Sequence, residues 1–426
     1  MAFHKKIRQT MEIKRDYHLQ KLLKRRHNQM IKVITGMRRC GKSYLVFKLL
    51  VDALRNEGID DRHIIKVNLE DRRNIALRNP DALLAHIDSK ISDDKMHYIL
   101  LDEVQLVDDF EDVLNSFLHV PNADVYVTGS NAKFLSKDII TEFRGRGDEV
   151  RIRPLSFTEM LTTRPHQPVE TALREFMLFG GLPQVVTMDN DEQRKEYLLN
   201  LFTHTYLRDI KERNKIKSDY DLEELISILA SSIGGLTNPH KLANTFHTVK
   251  HSNISQDTIK TYLDHLENAF LIECAIRYDI KGKKYINTPS KYYFEDLGLR
   301  NARLNFRQSE QTHLMENLIY NELRLQGFSV DVGTIDYYTN NENGKTQRNK
   351  IEVDFVANKG YDRVYIQSAF ALPSAEKWNQ ELRPLKSIGD NFQKVVIVGG
   401  LQPTYRNDDG ILILNLLDFL LKKHSF

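Results

Sequence analysis

Gly36-Met37-Arg38-Arg39-Cys40-Gly41-Lys42-Ser43 fits the pattern G-x-x-x-x-G-K-[ST]. The two glycines permit a tight backbone turn, so several N–H groups can point inward at phosphate oxygens. The expected contacts to a nucleoside triphosphate are Gly36, Arg39, Cys40, Gly41, Lys42, Ser43 and Tyr44. Lys42 reaches the β- and γ-phosphates, and the Ser43 hydroxyl ligates Mg²⁺. Backbone amides make the cradle, so the guanidinium groups of Arg38 and Arg39 are expected to face outward. The flanks agree with this reading. Ile31-Lys32-Val33-Ile34-Thr35 reads as a buried strand. Tyr44-Leu45-Val46-Phe47-Lys48-Leu49-Leu50 reads as a helix whose positive N-terminal end faces the anion. A chance match in a glycine-containing turn carries no strand before it and no helix after it.

Tyr98-Ile99-Leu100-Leu101-Asp102-Glu103 is an apolar strand ending in two acids. Asp102 is expected to hold Mg²⁺ through its water shell, and Glu103 to orient or deprotonate the attacking water. An Asp-Glu pair at a strand end is common by itself; its place downstream of the phosphate loop gives it a catalytic meaning. Val125-Tyr126-Val127-Thr128-Gly129-Ser130-Asn131 ends another strand in small polar groups. Asn131 or Ser130 can hydrogen-bond the γ-phosphate or the water, and a helix N-cap explains them equally well. Phe143-Arg144-Gly145-Arg146-Gly147 presents arginines on a glycine-flanked loop. Arg146 or Arg144 can neutralise charge on the γ-phosphate, in the same chain or in a neighbouring subunit. Such a finger accelerates hydrolysis by about 10³–10⁵ in known systems. Solvated loop arginines are the ordinary alternative. The expected catalytic set is therefore Lys42, Glu103, Asn131 and Arg146, with ATP and Mg²⁺ as cofactors.

The 426 residues suffice for two or three domains. A hydrophobic fraction of 41% and a charged fraction of 28% are those of a soluble globular protein. A net charge of +3 gives no global field for nucleic acid or an anionic membrane, so any such surface has to be local. Cys40 and Cys274 make no disulfide framework, which points to a reducing cytoplasm. Cys40 reads as a small loop residue, with a redox role as the alternative. No apolar run approaches the ~20 residues of a membrane span. Met1 to Arg8 is basic but lacks the apolar core of a signal peptide.

From Ile31 to about Arg153, apolar strands alternate with amphipathic helices, as in a parallel sheet covered on both faces. The strands are expected at Lys32–Thr35, Ile64–Leu69, His97–Asp102, Asp124–Thr128 and Glu149–Ile152. Thr171 to Asn214 is mostly helical, broken at Gly180-Gly181-Leu182-Pro183, and a further helical unit runs from Asp221 to Ile272. After Pro289 helix and strand mix. Asn340-Asn341-Glu342-Asn343-Gly344-Lys345 reads as a hairpin tip.

In combination these motifs resemble the predicted AAA+-type ATPases of bacteria and archaea that carry a C-terminal domain of unknown function. The likeness rests on Val33 to Ser43, Leu100 to Gln105, Thr128-Gly129-Ser130-Asn131 and Gly145-Arg146. It continues through Arg153-Pro154-Leu155-Ser156-Phe157, Phe179-Gly180-Gly181-Leu182-Pro183 and Tyr206-Leu207-Arg208-Asp209-Ile210, so it covers nearly the whole chain. The resemblance implies an α/β fold: a P-loop αβα core over 1–155, a helical lid over 156–215, a winged-helix-like unit over 216–290 and a nuclease-like α/β domain over 291–426.

Ser255 to Leu266 reads as a helix with an N-cap serine and an apolar face of Ile259, Leu263 and Leu266. The basic tip Lys281-Gly282-Lys283-Lys284 follows, and the pair looks like a winged helix. Lys260, Lys281, Lys283 and Lys284 are the expected phosphate contacts to DNA. Asp257 and Asp264 oppose such a surface, and a protein-interaction module explains the unit as well. Glu316 on a helix, Asp354 on a strand and Tyr365-Ile366-Gln367-Ser368-Ala369 resemble the PD-(D/E)xK nuclease core. Gln367 stands where the last acid belongs and Ala369 where the lysine belongs, which argues for a fold that has lost its chemistry. Glu352 lies on the Asp354 face and offers a replacement carboxylate or a plain polar edge. The expected function is an ATP-driven switch or remodeller; a protein partner and an oligomer are open to it, and no membrane is expected. A DNA-binding regulator using ATP as a ligand is the alternative, and a metal-dependent nuclease the third reading.

Overall fold

The computed structural model describes residues 12–129, 145–216, 218–250, 252–308, 310–340, 346–400 and 402–424, with the side chains of 338–340 and 346–348 left aside. It divides into two compact units. One takes the chain up to Leu155 together with Leu182–Thr187 and Asn268–Phe270; the other takes the remainder.

The first unit is built on five parallel strands: β1 (Ile31–Thr35), β2 (Ile64–Asn68), β3 (His97–Asp102), β4 (Ala123–Thr128) and β5 (Gly147–Arg151). Their order in the sheet is β2-β3-β4-β1-β5. All five expected strands are present, with ends displaced by at most two residues. Every residue of β1 and β3 is buried, which is why both read as apolar runs rather than as alternating strands. One sheet face presents Val33, Val67, Ile99, Leu101 and Val127 to a cluster that includes Leu83 and Ile87 of helix Pro80–Asp88. Phe110, Leu114 and Phe117 of helix Phe110–Phe117 join the same cluster. Lys32 interrupts the apolar run of β1. Its ammonium is fully buried against Asp124, and Asp124 also accepts from Tyr126 Oη at 2.9 Å. The parallel order sets the C-terminal ends of β3, β4 and β1 side by side, the crevice where open α/β sheets bind ligands.

The second unit begins with helices, among them Val169–Phe179, Asp191–Leu201, Asp219–Ser231, Pro239–Val249 and Gln256–Asn268. Ile259, Leu263 and Leu266 are buried on the last of these, as expected, and Ser255 Oγ accepts from Thr258 N at 3.1 Å at its start. Eight strands follow: β6 (Ile272–Asp279), β7 (Lys284–Phe294), β8 (Ser329–Asn340), β9 (Thr346–Lys359), β10 (Asp362–Ala369), β11 (Gln393–Val398), β12 (Tyr405–Arg406) and β13 (Leu412–Asn415). They form one mixed sheet of order β12-β13-β11-β10-β9-β8-β6-β7. Helix Gln311–Leu325 precedes β8, and helix Ala375–Lys386 connects β10 to its parallel neighbour β11.

This division differs from the four segments expected from the sequence. The boundary at 290/291 falls inside β7. The β6–β7 hairpin is not a free wing, because β6 pairs in parallel with β8 through Arg277↔Val332, Tyr278↔Gly333 and Asp279↔Thr334. That pairing satisfies an edge that would otherwise stand open. The hairpin tip expected at 340–345 joins β8 to β9, and residues 341–345 lie outside the described set. The break at Gly180-Gly181 has a physical anchor. Asp296, 2% exposed, accepts from Gly181 N at 2.8 Å and Leu299 N at 3.0 Å. Among the described residues no helix is long and apolar enough to cross a membrane.

Helix Gln311–Leu325 buries an acid. Glu322 is 4% exposed, with Gln326 Nε2 donating to it at 3.0 Å and Lys422 Nζ 3.6 Å away. Burial pushes its carboxyl from 4.5 up to about 7. The folded state thus holds this proton more tightly than the unfolded chain, and ionisation costs stability as pH rises through that window. Glu322→Gln is expected to have little effect near pH 4 and to stabilise by about 1–3 kcal/mol at pH 8. Urea unfolding at the two pH values checks this.

Candidate nucleotide site

The phosphate loop leaves β1 at Gly36, whose φ is +141°. A Cβ there would stand 2.1 Å from the Ile152 carbonyl oxygen, so the chain passes only because the residue has none. Gly41 closes the turn at φ +99° and hands over to the helical stretch 42–56. Arg39 is exposed, in keeping with a cradle made of backbone. Cys40 is fully buried, and its thiol donates to Ile152 O at 3.5 Å, which fits a packed loop residue and gives no access for redox chemistry. Lys42 is 5% exposed and donates to Gly36 O at 2.9 Å and Met37 O at 3.0 Å. The ammonium therefore spans the start of the loop.

Asp102, at the end of β3, is the centre of the site. Its Oδ1 accepts from Ser43 Oγ at 2.9 Å and from the Thr128 hydroxyl at the end of β4. Thr128 Oγ1 in turn accepts from Glu103 N at 3.2 Å. Burial pushes the Asp102 carboxyl up, against the pull of the Thr128 and Ser43 hydrogen bonds. A hydroxyl and a carboxylate so close are hard oxygen donors of the kind Mg²⁺ takes, and a cation there would offset the cost of burying the charge. Glu103 sits in the left-handed region at φ +54°, ψ +49°. Such strain in a residue with a side chain concentrates at functional sites. The Gln105 amide donates to Glu103 Oε2 and fixes the carboxylate.

Two contributions had no signal in the sequence. Arg15, 3% exposed, donates to Cys40 O at 3.0 Å and to Arg153 O at 2.7 Å, and lies 3.2 Å from His18 Nδ1. It ties the loop to the chain beyond β5. Beside Gly41 lies a cavity of about 170 Å³ walled by Ile13, Arg15, Tyr44, Leu155, Pro183 and Thr187. Tyr44, an expected nucleotide contact, is one of these lining residues. Pro183 and Thr187 come from Leu182–Thr187, the segment that belongs to this compact unit although it lies far along the chain.

Ser130, Asn131, Phe143 and Arg144 lie outside the described residues. Arg146 is exposed, and its carbonyl accepts from Ile31 N at 2.9 Å. Gly147 pairs with Ile31 in register, so Arg146 stands at the start of β1. The phosphate loop leaves the other end of that strand, roughly 15 Å away at the usual rise per residue. A finger from Arg146 to the nucleotide of its own chain is therefore corrected: parallel pairing puts it at the wrong end of the sheet.

In the second unit Glu316, Glu352 and Asp354 do meet, around a residue that the sequence did not single out. Lys291 Nζ of β7 lies 2.9 Å from Glu316 Oε1, 2.7 Å from Glu352 Oε1 and 3.8 Å from Asp354 Oδ1. Tyr293 Oη donates to Glu316 Oε1 at 2.7 Å. Burial alone would lower the Lys291 pKa, but Glu316, Asp354 and Glu352 together hold it above its ordinary value. Burial likewise pushes Asp354 up, with Glu316 adding and Lys291 opposing. Gln367 Nε2 turns to Glu381 Oε2 at 3.2 Å. An ammonium thus stands among the acids where a divalent ion would have to sit.

Arg15→Met removes two charge-assisted bonds to buried carbonyls. The expected result is a loss of about 1–3 kcal/mol in stability and a weaker nucleotide complex. Thermal unfolding and titration with a fluorescent ATP analogue measure both; unchanged affinity in a folded variant takes Arg15 out of the site.

Comparison with known proteins bears on this geometry. Residues 28–161 match the model of an AAA domain, and residues 170–310 match that of a domain of unknown function, DUF8612. An uncharacterized protein of Haemophilus influenzae is 35% identical over 416 residues, covering 96% of this chain and 99% of its own. An uncharacterized protein of Methanocaldococcus jannaschii is 31% identical over 373 residues, 84% of this chain and 79% of its own. Among solved structures, the Walker-type ATPase of Pyrococcus abyssi aligns at TM-score 0.49 and 16% identity, over 69% of this chain and 96% of that one. The chain belongs to one family with its Haemophilus and Methanocaldococcus relatives, and its first unit is a P-loop ATPase domain of the AAA type.

Proposed function

We propose that the protein binds ATP with Mg²⁺, hydrolyses it, and uses the cycle as a switch or remodeller acting through its second unit. The observation that carries this reading is the hydrogen-bonded chain Ser43–Asp102–Thr128–Glu103, which joins the phosphate loop to the ends of β3 and β4. Ser43 and Asp102 would hold the metal, which lends its charge to the phosphate oxygens. Lys42 binds the β- and γ-phosphates. Glu103, pinned by Gln105 and by its backbone, accepts the proton of the attacking water. Tyr44 and Pro183 wall the cavity for the base. Asn131 as a γ-phosphate contact, and Arg146 as a finger offered to a neighbouring subunit of an oligomer, complete the proposal. A reducing cytoplasm suits a chain whose buried Cys40 is a free thiol. Lys42→Ala is expected to abolish ATP binding. Glu103→Gln is expected to keep binding and lower turnover by about 10²-fold or more. Phosphate release from the purified variants measures this, and normal turnover by Glu103→Gln refutes the role of Glu103.

A second reading, ATP-regulated DNA binding, draws on the helices 219–268 followed by the β6–β7 hairpin. The isolated antiparallel bridge Thr237↔Ser290 sets the chain before helix Pro239–Val249 beside β7, where a winged-helix unit carries its short third strand. Lys281, Lys283 and Lys284 are exposed at the tip, whereas Lys260 is engaged by Asp257 at 3.2 Å. If the tip holds DNA phosphates, log affinity falls with log salt at a slope of roughly −3, and changing the three lysines to alanine removes that slope. Filter binding across a salt series decides between DNA and a protein partner. The helix–β8–β9–β10–helix–β11 order supports a nuclease-like ancestry. The Lys291 ammonium supports the view that its metal chemistry is gone.

A further inference from the structure

The start of the ATPase sheet, opposite the phosphate loop, carries a second group of side chains with ligand chemistry. His63 closes the helical turn Asp61–His63 just before β2, and His97 is the first residue of β3. Ile64 pairs with Tyr98 in register, so His63 and His97 are neighbours. Their rings lie 4.9 Å apart at 73°. Asp93, on the connection that leads into β3, places both carboxylate oxygens 3.0 Å from His63 Nε2. One ligand atom from each of His63, Asp93 and His97 lies within 4.8 Å of the others. The histidines are 4% and 0% exposed, while the Asp93 side chain is 32% exposed and leaves a way in.

The surroundings are those of a metal site. His97 Nδ1–H donates to Lys95 O at 2.7 Å, which leaves the lone pair on Nε2. Nε2 receives Ser92 N–H at 3.3 Å, long for such a bond. Ligating histidines usually donate their other N–H to a carbonyl in this way. Asn122 Nδ2 donates to Asp93 O at 2.8 Å and Lys95 O at 3.1 Å, and so fixes the connection that carries the carboxylate. A tetrahedral Zn²⁺ with bonds of 2.0–2.1 Å wants its ligand atoms about 3.3 Å apart; His63 and Asp93 already stand 3.0 Å apart, and all three ligand atoms lie within 4.8 Å of one another. Two imidazoles and one carboxylate suit Zn²⁺, whereas Mg²⁺ takes oxygen ligands throughout.

We propose that His63, Asp93 and His97 bind one Zn²⁺, with water in the fourth position, and that this ion ties the starts of β2 and β3 together. The site is separate from the nucleotide site and independent of its function. The test uses the full chain without a histidine tag, stripped with EDTA and titrated with Co²⁺ and then Zn²⁺. The expected result is one Co²⁺ per chain with the visible absorption of a tetrahedral N/O complex, its displacement by Zn²⁺, and a raised thermal midpoint. His63→Gln and the half-exposed Asp93→Ala are each expected to weaken binding more than about 100-fold, beyond the 10–100-fold effect of outer partners. Lys42→Ala is expected to leave it unchanged. Circular dichroism verifies that each variant is folded. The proposal is overturned by a wild-type chain that takes up no stoichiometric Co²⁺, by thiolate charge-transfer bands that would place the ion on a cysteine, or by binding that survives in folded Asp93→Ala.

Discussion

A carboxylate taken out of water has to find partners, and Asp102 finds them at the end of a neighbouring strand and on a loop, both remote in sequence. Ser43 reaches it from the phosphate loop and Thr128 from β4. Losing either hydroxyl leaves a buried charge less well bonded, a cost of about 1–3 kcal/mol. On the proposed function, the same carboxylate would hold the cation of a nucleotide complex. Stability of the crevice and its proposed chemistry would thus rest on one group, and the parallel order β3-β4-β1 is what makes the convergence geometrically available.

The sheet and the meeting of Ser43 with Asp102 were legible because local signals agree there. An apolar run, a glycine pair, a lysine and a helix occur consecutively, and β3 announces its acids at its own end. Arg15 could not be read in the same way. A basic residue before a helix resembles any solvated arginine, and only its carbonyl partners on the loop and beyond β5 give it a task. Arg146 as a finger within its own chain failed for a related reason: a glycine-flanked arginine shows that a loop is exposed, and only strand register shows which end of the sheet the loop occupies. The left-handed backbone at Glu103 likewise leaves no trace in composition.

Lys291 shows how a neutralised acid cluster hides. Glu316, Glu352 and Asp354 carry the pattern of a metal site when read along the chain, because their neutralising partner sits on β7, well upstream of β9. An internal ammonium is a permanent occupant, covalently tethered and indifferent to chelators. Gln367 and Ala369 depart from the nuclease pattern along the chain; the Lys291 ion pairs are a separate observation that does not depend on those two positions.

The return of Leu182–Thr187 to the first unit bears on how the molecule can be dissected. The AAA domain match ends at residue 161, and a fragment cut there would keep the phosphate loop and Asp102 yet lack Pro183 and Thr187. The cavity beside Gly41 would be missing a wall. The compact unit around the phosphate loop is therefore not a contiguous stretch, and a gene product shortened to the AAA match would lose packing that nothing within 28–161 announces.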